Sequence, residues 1–239
     1  MATQVKVKNP KMYALVLMIG GFMGLFSETA LNMALTDIMT DFQVSAAVVQ
    51  WLTTGYLLVM ACLVPASSYL IKWFNTKQLI ITGILLSLLG VIIGALAPSF
   101  GFLLLGRIVQ ALGTGILLPI MVTVLMLIFP IEKRGAVMGI MGLVITAGPA
   151  LGPTLSGVII SASSWHFIFW ISAILYIIVL LLAISKVENV GEITKPKIDI
   201  ISIALSTVGF AGLIFALSSL AEASFTNIIV WLPLLIGVV

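Results

Sequence analysis

Polar residues are sparse along this chain and they fall in bunches, with long apolar runs between them. A run of roughly 20 apolar residues, at 1.5 Å per residue in a helix, crosses about 30 Å of hydrocarbon. The pattern predicts seven complete spans, Met12 to Leu35, Val48 to Ile71, Leu79 to Ala97, Phe102 to Phe129, Ala136 to Ile160, Phe167 to Ile184 and Ile200 to Leu220. An eighth run starts near Asn227 and is still apolar at Val239, about twelve residues on and too short to span. The expected fold class is an all-α polytopic membrane protein.

Composition agrees with the pattern. Of 239 residues 62% are hydrophobic and 8% charged, and the mean hydropathy is +1.30, far from the balance of a soluble domain. The first run follows Lys6, Lys8 and Lys11, as a secretory signal would. It is longer than a signal core, holds Glu28 and is followed by six more spans, so it reads as an uncleaved helix. The single Cys62 has no partner for an intramolecular disulfide and reads as a small buried apolar residue.

Ten of the eleven basic residues lie before span one or in alternate loops: Lys6, Lys8, Lys11, Lys72, Lys77, Lys133, Arg134, Lys186, Lys195 and Lys197. The positive-inside rule therefore places the N-terminus and these loops in the cytoplasm of a cell whose inner (cytoplasmic) membrane holds the protein. The net charge of +3 is this asymmetry in sum and points to no nucleic-acid partner.

The eleventh basic residue, Arg107, sits inside span four and heads a stripe continued by Gln110 and Thr114 at i+3 and i+7. An intramembrane arginine needs a partner or water; snorkelling to the outer headgroups is the plain alternative. In span one Gly21, Gly24, Glu28 and Asn32 share a small and polar face, and Glu28 is the carboxylate lying well inside a span. Glu28 lies about 12 Å and Arg107 about 8 Å from the outer end of its span, depths compatible with a shared cavity. Two readings stay open there: proton or cation binding by Glu28, or a permanent structural ion pair with Arg107. Span five carries two rows of small residues, Gly139, Gly142, Thr146, Pro149, Pro153 and Gly157, and beside them Gly148, Gly152 and Ser156. In lipid such rows bring helices close together, and prolines bend them. Simple tight packing and a surface that slides or seals are the two readings.

These residues resemble the major facilitator superfamily, and within it the fourteen-helix drug:proton antiporters. GPALGP with Gly142 before it and Gly157 after it is similar to the antiporter motif of the fifth helix. GRIVQALGTGILLP resembles the fourth-helix motif through Gly106, Arg107, Gln110, Gly113, Gly115 and Pro119. ETALNMAL matches the first-helix motif at Thr29, Asn32, Ala34 and Leu35, WLTTGYLL the second-helix signature at Trp51, Thr54, Tyr56 and Leu58, and SWHFIFWIS, more loosely, the sixth-helix entry at Trp165, Ile168 and Phe169. Ser27 stands where that family usually has Asp, so Glu28 is displaced by one residue, about 100° around the helix. The second loop departs from the cytoplasmic gating motif at Ser68, Lys72 and Asn75 and keeps Lys77, and His166 replaces an Arg.

The resemblance implies alternating access, with the substrate site at the midplane between two six-helix halves. Residues 1–11 would be a cytoplasmic segment, 12–184 the N-terminal six-helix half, and 185–239 a cytoplasmic linker with one complete and one truncated linker helix. The chain reads as the N-terminal part of a longer transporter, or a truncated gene product, whose C-terminal half is missing. Expected partners are protons, an amphipathic or cationic drug-like small molecule and the lipid bilayer. The proton gradient supplies energy, with no cofactor and no metal. Glu28, Asn32, Arg107, Gln110 and Thr114 are the candidate coupling or binding residues. Gly142, Gly148, Pro149, Gly152, Pro153 and Gly157 are the candidate packing and sealing residues, and Lys72 and Lys77 the gating loop. A facilitator for a nutrient or ion, or a half without transport activity of its own, would share the fold. No nucleophile, base and oxyanion constellation, metal-ligand cluster or phosphate loop suggests an enzyme.

Overall fold

The computed structural model describes residues 5–191, 193–196, 199–219 and 228–238. Its membrane helices are α1 (Pro10–Phe42), α2 (Ala46–Trp73), α3 (Thr76–Ala95), α4 (Phe100–Ile128), α5 (Ile131–Ala162), α6 (His166–Lys186) and α7 (Ile200–Ser219), followed by a shorter α8 (Ile228–Val238). The expected start of span eight at Asn227, the end of span seven at Leu220, the terminal Val239 and the linker residue Lys197 lie outside the described residues.

Helix ends differ from the hydropathy reading where polar residues continue a helix beyond the lipid. The first apolar run was expected to stop at Leu35, yet α1 proceeds to Phe42 because Ile38 stays buried while Thr36 and Asp37 are not. Between the two parts of α1, Leu31–Ala34 tighten into a 3₁₀ turn, a form frequent at hinges. The helix ends on Gln43 in the left-handed conformation (φ 50).

Helices α1 to α6 pack into a bundle with its core between α1, α3, α4 and α6. Backbones of α3 and α4 come closest. A Cβ on Gly90 would lie 2.5 Å from Gln110 N, and one on Gly106 would lie 2.8 Å from Gly90 O. In a bilayer no hydrophobic effect drives helices together, so removing side chains at the contact is what permits this approach. The spacing of the α3 glycines Gly83, Gly90 and Gly94 names no facing helix, and only the packed structure pairs them with Gly106 and Gly113. Cys62 departs from expectation: it is only half-buried.

The end of the bundle that carries the start of α1 is covered by a strap of residues 187–191 and 193–196. Val187 and Val190 are buried in the core, the Tyr13 hydroxyl donates to Glu188 O (2.9 Å), and Thr76 Oγ1 donates to Val190 O. Asn75, the N-cap of α3, makes no side-chain capping bond. Asn189 supplies one from the strap, its Oδ1 accepting from Lys77 N (3.2 Å), and so satisfies a donor that a helix start leaves free. Farther along, Thr194 N and Lys195 N donate to Lys72 O (3.1 and 3.2 Å) and Trp73 Nε1 donates to Pro196 O (3.1 Å). Asp199 caps α7 through Ser202 N (3.1 Å) and Ser202 Oγ (2.6 Å), which holds its carboxyl below the usual aspartate range.

Candidate functional site

Arg107 is fully buried, and the groups it does hydrogen-bond are neutral. Its Nη1 donates to Gln110 Oε1 (2.7 Å), Ser27 Oγ (3.2 Å) and Ser27 O (3.4 Å), and its Nε donates to Leu52 O (3.3 Å). Gln110 Nε2 donates in turn to Ser27 Oγ (2.7 Å). The guanidinium carbon lies 4.1 Å from the centre of the Tyr56 ring, a cation–π contact in a dry setting. The Tyr56 hydroxyl reaches Gly24 O (3.1 Å) and Thr114 Oγ1 (2.8 Å), and Thr114 Oγ1 reaches Gln110 O (3.3 Å). Arg107, Gln110 and Thr114 therefore do share one face, and it points into the bundle toward α1 and α2. All three side chains are inaccessible in this conformation.

Arg107 Nη2, Ser87 Oγ and Tyr176 OH are buried without a hydrogen bond. The Tyr176 hydroxyl lies beside Ser87 and Gln110, so the polar cluster extends from α1 and α2 through α4 to α3 and α6.

Glu28 and Asn32 are not part of this network. The cavity that Glu28 and Arg107 were expected to share from their depths is replaced by a division. Glu28 is half-buried and makes no ion pair with Arg107, whose charge reaches it only over a longer distance. Asn32, in the 3₁₀ turn, is exposed and accepts at Oδ1 from Thr53 Oγ1 (2.8 Å). The division has a local cause. Ser27 and Glu28 point about 100° apart on the helix, and it is Ser27 that meets α4. Ser27 and Tyr56 were not among the candidate site residues. The available signals were Ser27 at the position where the family usually has Asp and Tyr56 within the second-helix signature.

On α5 the two rows of small residues part company. Gly148, Gly152 and Ser156 are buried, the glycines against α1. A Cβ on Gly152 would collide with Thr29 Oγ1, and one on Gly148 would lie 3.1 Å from Leu25 Cβ and 3.2 Å from Phe26 N. Gly139, Gly142 and Gly157 have nothing within 4 Å of a Cβ, and Pro149 is exposed and Pro153 half-buried. One row is an internal contact; the other is an open, bulk-free face.

In the second loop the Lys77 Nζ donates to Ile184 O (2.9 Å) at the end of α6, where a cation suits the free carbonyls. The side chain of Lys72 is exposed, and the strap binds that residue by its backbone. On the opposite side Trp165 Nε1 donates to Asp41 Oδ2 (2.6 Å), with His166 stacked on the indole at 3.6 Å. A groove of about 360 Å³ between α2, α7 and α8 is lined by Leu58, Val208, Ala211, Gly212, Phe215, Leu232 and Pro233 and offers no polar chemistry.

Comparisons with known proteins place this arrangement. The chain is 53% identical over 225 residues to the lincomycin resistance protein LmrB of Bacillus subtilis (strain 168), covering 93% of this chain and 47% of that protein. It is 51% identical over 220 residues to the LmrB of Listeria monocytogenes serovar 1/2a, covering 92% of this chain and 47% of that protein. The chain thus spans about half the length of these curated relatives. A crystal structure of a peptide transporter POT in complex with sulfate superposes with a TM-score of 0.69 at 17% identity, over 98% of this chain and 51% of that one, a likeness of fold. The model of the Major Facilitator Superfamily matches residues 17–239, and the chain belongs to that superfamily.

Proposed function

We propose that this chain acts as the first half of a drug:proton antiporter, exporting amphipathic or cationic small molecules across the cytoplasmic membrane by alternating access. The likeness to lincomycin resistance proteins supports drug export. The observation that carries the coupling is Glu28, a carboxylate inside a membrane helix, half-accessible and free of any ion pair among the described residues. Such a group binds either a proton or a cation, and mutual exclusion between the two is what antiport needs.

In this reading residues 1–11 are cytoplasmic, 12–184 are the first transporter half, and 185–239 are the linker and linker helices. Asn32, in the 3₁₀ turn, contributes to the substrate surface. Arg107, Gln110 and Thr114 act from behind it, setting the field at Glu28. Gly142, Pro149, Pro153 and Gly157 present the open face of α5 to a second six-helix half, while Gly148 and Gly152 hold α5 to α1. Lys72 and Lys77 tie the cytoplasmic loop to the strap and to α6. The proton gradient is the energy source and no cofactor is required.

The test is Glu28→Gln in inverted vesicles carrying the complete transporter. Proton-driven uptake of a cationic drug is expected to fall at least tenfold with protein abundance unchanged. Undiminished proton-driven uptake in that variant would refute the assignment.

A further inference from the structure

Arg107 is a cation and Glu28 an ionisable carboxylate in the same bundle, Ser27, which Arg107 touches, immediately precedes Glu28 in α1, and Arg107 Nη2 has no hydrogen-bond partner. A desolvated guanidinium with a free arm draws a nearby carboxylate strongly, because little water screens the pair. Yet the two groups form no ion pair. The 100° step from Ser27 to Glu28 turns the carboxylate aside, but a long guanidinium side chain can follow it, and the direct polar contacts of Arg107, two backbone carbonyls, a serine hydroxyl and an amide, carry no negative charge to prevent that.

The remaining contact is the Tyr56 ring. It is fully buried, its face lies 4.1 Å from the guanidinium carbon, and the negative face of an aromatic ring attracts a cation most where water is excluded. Its hydroxyl fixes where that face stands, bridging α1 at Gly24 O and α4 at Thr114 Oγ1. Gly24 is also the helical turn beneath Glu28, since an α-helix pairs the N–H of residue i with the carbonyl of i−4. One side chain from α2 thus contacts the cation directly and the carboxylate's own turn through its hydroxyl.

We infer that Tyr56 is a positioning residue that keeps Arg107 off Glu28, leaving the Glu28 carboxylate open to a proton or a lipophilic organic cation. The inference rests on the reading of Glu28 given above. Without the ring, Arg107 swings its free Nη2 to Glu28, and the resulting ion pair competes with the transported cation.

The chain has two arginines, Arg107 and Arg134, so side-chain ¹⁵N-arginine spectra of the whole chain in detergent micelles contain one signal of interest and one reference. Ring current from Tyr56 displaces the Arg107 signals upfield. Tetraphenylphosphonium affinity is measured on the same samples by equilibrium dialysis. Tyr56→Phe keeps the π face and is expected to retain the displaced signals and an affinity within about threefold of the parent. Tyr56→Leu is expected to lose the displacement and to weaken binding about tenfold or more, the order of a desolvated cation–π contact. Tyr56→Met, of similar bulk without a π face, replaces Leu if that variant does not fold.

An Arg107 signal that is undisplaced in the parent, or that stays displaced in Tyr56→Leu and Tyr56→Met, overturns the positioning role. So does loss of the displacement with affinity kept within threefold. Glu28→Gln separates the two claims: unchanged tetraphenylphosphonium affinity there overturns the cation site itself, and with it the purpose assigned to Tyr56, even where the arginine signals behave as stated.

Discussion

Adding a single methyl group at Gly152 is expected to loosen the contact between α5 and α1, and the cost can be worked from the geometry. A Cβ there falls on Thr29 Oγ1 and 3.1 Å from both Ala30 N and Thr29 Cβ. The Thr29 hydroxyl bonds back to Leu25 O (3.3 Å) and Phe26 O (3.2 Å), so it cannot turn aside without giving those up, and the Ala30 backbone cannot move without bending α1. Overpacking of this kind costs about 1–3 kcal/mol. Replacing Gly by Ala in a helix interior returns about 1 kcal/mol. With so close a contact in the upper half of that range, about 2–3 kcal/mol, Gly152→Ala should destabilise the chain by a net of about 1–2 kcal/mol, or a few degrees at about 2–4 °C per kcal/mol for a chain of this size. At Gly148 the nearest atoms are 3.1–3.3 Å away, so a few tenths of an ångström of relaxation suffice and Gly148→Ala should be near neutral. Leu at either position has no room and should fail more severely, Gly152 first. Val158→Leu, at a site 63% exposed, is the neutral control. Thermal unfolding of the purified chain in detergent ranks these variants. A Gly152→Ala protein as stable as the parent, or less perturbed than Gly148→Ala, would show that α1 and α5 do not meet as described.

Two other outcomes follow from particular contacts. Removing the strap's cap by Asn189→Ala should speed hydrogen exchange at the first turn of α3, notably Lys77, with little change in the middle of α3; unchanged exchange at Lys77 would mean that Asn189 does not cap it. For orientation, an impermeant thiol reagent applied to intact cells should label a cysteine placed at Gln43 or Ser99, but not one at Asn75 or Gly191, in a Cys62→Ala background; the reverse pattern would invert the proposed topology.

Long uninterrupted apolar runs were enough to define the membrane helices, since a bilayer imposes a minimum length on any spanning helix and basic loops alternate with bare ones. The motifs around Arg107 and Pro149 likewise identified the superfamily, and helical periodicity correctly put Arg107, Gln110 and Thr114 on one face. Which way that face points was decided only in three dimensions. Periodicity gives an angle around one helix axis, but the rotation of α4 relative to α1 is set by where backbones can approach, and that depended on Gly90 meeting Gly106 across two helices. The same applies to α5, where two rows of small residues look alike in sequence although one is filled by α1 and the other is open. Depth along the membrane was legible and suggested that Glu28 and Arg107 share a cavity. Azimuth was not, and it gave Arg107 to Ser27 and Tyr56 while leaving Glu28 without an ion pair among the described residues, because a step of one residue turns a side chain through about 100° and so exchanges the bundle interior for its accessible side.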